Sequence, residues 1–240
     1  AEWLSRTNHY LLPGTDNSSA EVQIFRYAPA TTNFTTVTVY DASSSRCVAT
    51  NGIRSNLSGN RFAVAFPDAN ADNLQILSFN GTSLSDAGKL TDNNNFPSAV
   101  SWSPGGDRLA VGFRSVASVT RSFAIYNYSG SSLTLRTNIH FSATHMANSV
   151  DWMPSNSLVA VGYTVGPGSS GRLRVFQYQQ STETLRLMYS NHVTLPVTSV
   201  RWSRDGRYLA VADQANFITI YETLRADLAL TKTGTPALAK

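Results

Sequence analysis

The sequence predicts an all-β chain built from five four-stranded units, and three observations predict it. A phrase of two apolar runs around a turn, VSWSPGGDRLAVGF at 100–113, returns as VDWMPSNSLVAVGY at 150–163 and as VRWSRDGRYLAVAD at 200–213. All four tryptophans, Trp3, Trp102, Trp152 and Trp202, fall at one position of that phrase. Between the phrases, short apolar and aromatic runs alternate with turns rich in Gly, Asn, Ser and Thr, which is the pattern of antiparallel strands rather than of helices.

The elements follow in order within each repeat. The phrase begins at 3, 55, 102, 152 and 202, in steps of 52, 47, 50 and 50 residues. In the second repeat Ser55 stands where tryptophan is expected, and Phe62 stands where Leu109 does. The first strand ends in x-V-x-W. A turn of Ser, Pro, Gly, Asn and Asp follows, supplying the backbone angles a tight reversal needs. The second strand reads FAVAF, LAVGF, VAVGY or LAVAD. Such runs are apolar on both faces, as strands covered on both sides are. The third strand carries aromatics near its end, as in LQILSF, FAIYNY and LRVFQY. The fourth is more polar, as in LTLRTN and TLRLMY. Asn80-Gly81 between third and fourth strands is a strong two-residue hairpin signal.

Four strands in repeats of about 40–50 residues are the signature of a β-propeller, whose blades cannot bury both faces alone and so pack around an axis. The expected architecture is one propeller domain over 1–240, with blades at about 1–50, 51–97, 98–147, 148–197 and 198–240. Five blades closing on themselves are expected; the alternative is part of a six- or seven-bladed ring. Strand one would lie at the axis, and its tryptophan would wedge between neighbouring blades as core packing.

SWSPGGDRLAVG, FAIYNYSG and NFITIYETLRADLALTKTGTP resemble WD40-type propeller repeats in their divergent S-x-W-S-P-x-G-x-x-L-A-V-G…I-x-I-Y form. The resemblance covers nearly the whole chain. The terminal Trp-Asp and the Gly-His pairs of those repeats are absent. Repeats in this style also resemble those of bacterial and bacteriophage proteins, including virion and tail components. The resemblance implies an interaction scaffold.

Composition narrows the function classes. Only 14% of residues are charged, and the net charge of +4 comes from scattered basic residues. A nucleic-acid footprint is not expected from such a pattern. The lone cysteine, Cys47, excludes an intrachain disulfide framework and a cysteine-rich zinc site, and reads as a buried or half-buried thiol. No apolar run reaches the length of a membrane span. The opening AEWLSRTNHY shows no leader-like pattern.

No catalytic motif stands out, and neither a catalytic residue, a cofactor nor a metal is expected. His140 and His145 share NIHFSATHMAN, but their spacing fixes no metal geometry, and solvated histidines are the simpler reading. Asp151 precedes Trp152 on an inner strand, with Ser101 and Arg201 as its repeat partners. That set reads as an axial salt bridge with a hydrogen-bonded neighbour. Asp107 and Asp205 read as turn caps. The segments after strand two, GFRSVASVTR (112–121) and GYTVGPGSSGR (162–172), are the longest and read as loops. Loops on a rigid scaffold often carry binding. Arg114, Arg121 and Arg172 there are the candidate interaction residues. The expected function is a non-catalytic scaffold contacting protein subunits of a larger assembly, such as a bacteriophage virion or tail. The alternatives are a carbohydrate-binding propeller with a glycan partner and, third, a propeller hydrolase.

Overall fold

A computed structural model describes residues 2–3, 10–13, 21–42, 48–49, 51–66, 73–90, 95–114, 121–141, 145–155, 157–166, 170–223 and 230–234, with residues 2–3 and 230–234 described as backbone. Their twenty strands form five antiparallel sheets of four, each in chain order. Blade one holds β1 (Glu2–Trp3), β2 (Tyr10–Leu12), β3 (Val22–Ala28) and β4 (Asn33–Tyr40). Blade two holds β5 (Ile53–Ser55), β6 (Arg61–Ala65), β7 (Leu74–Phe79) and β8 (Leu84–Leu90). Blade three holds β9 (Phe96–Trp102), β10 (Arg108–Arg114), β11 (Phe123–Tyr128) and β12 (Leu133–Ile139). Blade four holds β13 (His145–Trp152), β14 (Leu158–Val165), β15 (Ser170–Gln179) and β16 (Thr184–Val193). Blade five holds β17 (Val197–Trp202), β18 (Tyr208–Asp213), β19 (Ile218–Thr223) and β20 (Leu230–Gly234).

The turn between strands one and two is built the same way in three blades. Asn56, Ser103 and Ser203 each pair their backbone N–H across the turn, with Arg61, Arg108 and Tyr208. Three residues after each lies a glycine with positive φ: Gly59 at 69°, Gly106 at 70° and Gly206 at 69°. That conformation penalises a Cβ, which is why glycine recurs there. Side-chain oxygens of Asn56, Ser103 and Ser203 also accept the N–H of Arg61, Arg108 and Tyr208. A second device recurs in all five blades. The pairing of strands three and four slips at Ile24, Ile76, Ile125, Val175 and Ile220, one equivalent position. Such a bulge strengthens the local twist, which blades arranged around an axis require.

Apolar clusters join successive sheets. Leu12, Val22 and Ile24 meet Ile53, Phe62 and Leu77 between blades one and two. Trp102 packs with Ala63, Leu74 and Ile76 of blade two. Trp152 packs with Phe123 and Ile125 of blade three. Trp202 packs with Leu158, Leu173 and Val175 of blade four. The three tryptophans are thus wedges against the preceding blade, as expected, and the side chain of Trp3 lies outside the described residues. In blade two, where Ser55 holds the position, Phe62 and Phe79 fill the space with rings 6.2 Å apart, and Tyr10 meets Phe79 edge-on at 5.3 Å. Blade five is less covered on its far side. Ile218 is 37% exposed, whereas its equivalents Phe123 and Leu173 are fully buried. Among the described residues, no apolar cluster joins blade five to blade one.

Blades four and five approach closely at Gly171. A Cβ there would lie 2.2 Å from the Leu195 carbonyl oxygen and 2.8 Å from the Val197 nitrogen, both backbone atoms. Gly171→Ala is therefore expected to lower stability by about 1–3 kcal/mol, the usual cost of forcing extra volume into a packed site. A shifted urea midpoint with unchanged slope is the expected reading. An unchanged midpoint would mean that the segment around Leu195 retreats freely.

Candidate functional site

The axis is lined from equivalent positions of strand one. Arg54, Ser101, Asp151 and Arg201 share one position of the repeat. Asp151 lies at the centre of the set. Its Oδ1 is 3.7 Å from Arg54 and 3.9 Å from Arg201, and it accepts from Ser101 Oγ at 3.5 Å. Its Oδ2 accepts the Trp202 backbone N–H at 2.7 Å. Ser101 Oγ does the same for Trp152 N–H at 2.9 Å, and Ser149 Oγ for Val200 N–H at 3.1 Å. Each forward-facing side chain therefore caps a backbone donor of the next blade. The expected axial set is present, with Arg54 added to it.

A second ring lies three residues earlier, at Asn51, Ser98, Asn148 and Thr198. In blades three, four and five this residue is the extra one of a β-bulge. Bulges re-aim side chains. Ser98 Oγ donates to the Ala147 carbonyl at 2.5 Å, and Asn148 Nδ2 to the Val197 carbonyl at 2.8 Å. Asn51 Nδ2 reaches the carbonyls of Asn148 and Thr198, at 2.8 and 3.0 Å. One amide of blade two thus ties blades four and five.

Asp107, Asp205 and Asp213 are engaged at turns. Asp107 accepts from Ser103 and pairs with Arg108 at 2.8 Å. Asp205 accepts from the Ser203 hydroxyl and the Arg207 N–H, and these bonds hold its carboxyl below the usual range. Asp213 Oδ1 accepts the N–H groups of Ala215 and Phe217.

The candidate arginines lie at one end of the blades but not in one cluster. The sequence reading of 162–172 as a loop is corrected: β14 continues to Val165 and β15 starts at Ser170. Strand alternation there was hidden by Gly166, Gly168 and Gly171, and pairing across the hairpin decides it. Arg172 therefore sits on a strand, opposite Tyr163 and His192. Arg114 closes β10 and is exposed. Arg121 lies in the cleft to blade two, its N–H on Asn95 Oδ1 and its guanidinium 3.4 Å from Tyr126 Oη. Residues 115–120 and 167–169, Cys47 and His9 lie outside the described residues.

Around Arg172 the structure assembles groups that the sequence reading did not connect. Arg174 lies two residues on, on the same face of β15. Its guanidinium stacks on Phe141 at 4.7 Å and Tyr163 at 5.3 Å. Phe141, arriving from blade three with its N–H held by Ser122 Oγ, stacks on Tyr163 at 4.6 Å. His145 tilts against Tyr163 at 5.6 Å. Burial pushes the His145 pKa down, and Arg174, Arg172 and His140 push it further. Burial raises that of Tyr163, against the two arginines. The spacing of Arg172 and Arg174 was the available signal. For Arg54 it was the repeat alignment with Asp151.

A groove of about 400 Å³ separates β16 from the blade-five hairpin, lined by Asn191, His192, Asp213, Phe217 and Tyr221 among others. Among the described residues, no group of three or more His, Cys, Asp or Glu could hold a metal ion. Among them no helix is long and apolar enough to cross a membrane.

A family model, the WD domain, G-beta repeat, matches residues 183–222. The match runs from the outer strand of blade four through three strands of blade five, so it is offset by one strand from the sheet. No curated protein matches the sequence. Among solved structures, the β-propeller domain of Cps50 (Swd1) from Myceliophteria thermophila is similar, with a TM-score of 0.65, 12% identity, and coverage of 96% of this chain and 73% of that one. A proposed 6-phosphogluconolactonase from Bacteroides uniformis has a TM-score of 0.61 at 13% identity, covering 93% of this chain and 80% of that one. A periplasmic gluconolactonase, PpgL, from Pseudomonas aeruginosa has a TM-score of 0.56 at 14% identity, covering 96% and 83%. At these identities the likeness concerns the fold. The chain is an all-β propeller carrying WD40-like repeats.

Proposed function

We propose that the chain is a non-catalytic scaffold that works by protein–protein contact through the exposed end of blades three and four. WD40 propellers commonly mediate such contact. The observation that carries the reading is the blade-four wall. β14 and β15 pair for three residues beyond the Gly162–Leu173 pair, whereas the equivalent Gly112–Phe123 pair is the last between β10 and β11. The extended pairing of β14 with β15 thus holds Arg172 on a paired strand. The axial carboxylate Asp151 is engaged in tying blades together, which favours contact over hydrolysis. The setting we propose is a bacterial or bacteriophage assembly, a virion or tail component, on the phrasing of the repeats. A second reading, glycan binding, draws on the groove beside β16, where Phe217 offers a ring 49% exposed next to the amide of Asn191.

Crosslinking capture with the intact chain and with residues 114–120 deleted tests the proposal. The expected result is a defined set of partner proteins, lost on deletion while the thermal melt is unchanged. Retention of the same partners would put the contact elsewhere. Binding to immobilised glycans competed by free sugar, or turnover of sugar lactones, would replace the scaffold reading.

A further inference from the structure

The end of blade four that faces blade three concentrates positive charge over buried polar groups. Arg172 and Arg174 share one face of β15, and His192 lies opposite Arg172 on the neighbouring strand. His145 and Tyr163 belong to the same face. Among the described residues, no carboxylate forms an ion pair with Arg172 or Arg174. Other arginines do find such partners: Arg108 with Asp107, Arg136 with Glu183, Arg207 with Glu222. Three polar atoms of this cluster, Tyr163 Oη, His145 Nδ1 and Arg174 Nε, are buried and lack a hydrogen-bond partner. Tyr163 as a whole is fully buried. Buried polar groups without partners are uncommon in native proteins and call for an explanation. Here they lie beneath two uncompensated arginines, and the repeat does not require them. The position of Arg174 is Gln75 in blade two, Ala124 in blade three and Thr219 in blade five.

We propose that this rim is a binding site for an acidic peptide segment of a protein partner, whose carboxylates seat on Arg172 and Arg174. The planar guanidinium suits carboxylate recognition through paired N–H donors. The stacking of Arg174 on Phe141 and Tyr163 holds it in place in advance, which reduces the ordering a ligand must impose. A peptide is the occupant argued because Arg172 and Arg174 stand two residues apart on one face of β15, a spacing that the alternating side chains of an extended chain can match. The identity of the occupant as a protein rests on the scaffold reading; the anion preference does not.

The test is fluorescence anisotropy with the full chain and labelled hexaglutamate, with hexaglutamine as the neutral control. The expected result is binding of hexaglutamate alone, weakening as salt rises through screening. Arg172→Ala and Arg174→Gln are each expected to weaken it at least tenfold, and Arg207→Ala, an exposed arginine of blade five, to leave it within twofold. Arg172 is only half-buried at the rim, so its variant keeps the test readable if Arg174→Gln disturbs the fold. Equal binding by Arg172→Ala, or equal binding of hexaglutamine, overturns the proposal. Displacement by inorganic phosphate at concentrations where chloride does nothing would make this a small-anion site and overturn the peptide assignment. Lost peptide binding with intact partner capture would defeat this inference alone. Peptide binding without captured partners would defeat the scaffold reading instead.

Discussion

Trp152→Ala is expected to lower the unfolding free energy by about 3–5 kcal/mol, the range for removing a large buried aromatic side chain. Trp152 is 5% exposed and stands between blades three and four. It meets Tyr178 edge-on at 5.9 Å and shares a cluster with Phe123, Ile125 and Phe176. The contact is between blades, so the cavity would open at an interface, and neither sheet can close it without moving the other. Urea unfolding followed by far-UV circular dichroism reads the loss. Blade two shows why the position and not the indole is required: with Ser55 there, Phe62 and Phe79 supply the bulk. Trp152→Phe is accordingly expected to retain much of the stability. A Trp152→Ala midpoint within error of wild type would mean that the blades do not depend on this wedge.

The second large effect is expected at the axis. Asp151→Ala should cost about 3 kcal/mol, because it strands a backbone donor and leaves two guanidinium groups without their shared carboxylate. The parts are unequal. The ion-pair distances of 3.7 and 3.9 Å are long, and the Arg201 side chain is 36% exposed. The Arg201 pair, screened by solvent, contributes little, whereas the Arg54 pair is long but mostly buried. The 2.7 Å bond from Trp202 N–H to Oδ2 is charge-assisted and short, so it carries most of the effect. Asp151→Asn keeps an acceptor for that N–H and is expected to cost about 1 kcal/mol. Equal losses for the two variants would show that charge, rather than the inter-blade hydrogen bond, is what Asp151 supplies. If Asp151 were instead a catalytic acid, both variants would abolish a turnover with little change in stability.

The site and the fold were legible to different degrees. The aspartate turn caps could be read locally, since Asp205 and Asp213 bond to backbone groups within four residues. The axial set could be read from the repeat spacing, because positions 50 residues apart occupy equivalent places in adjacent blades. Ser55 marks the register of Arg54, but nothing along the chain shows that its guanidinium meets Asp151, two blades away. The basic rim was not legible as a unit. Phe141 comes from the exit of blade three, while Tyr163 and Arg174 come from two strands of blade four.

What the sequence determined by itself was the repeat, the strand grammar and the glycine turns. Each rests on local chemistry: which residues tolerate positive φ, and which runs must be covered on both faces. The tertiary structure alone decided three further things. It turned 162–165 and 170–172 from loop into paired strands, because backbone pairing across a hairpin overrides a run of glycines. It placed the bulges at Ser98, Asn148 and Thr198, because register depends on the partner strand. And it brought two arginines, a histidine and a buried tyrosine to one rim, because the packing of blade against blade sets distances that spacing along the chain does not encode.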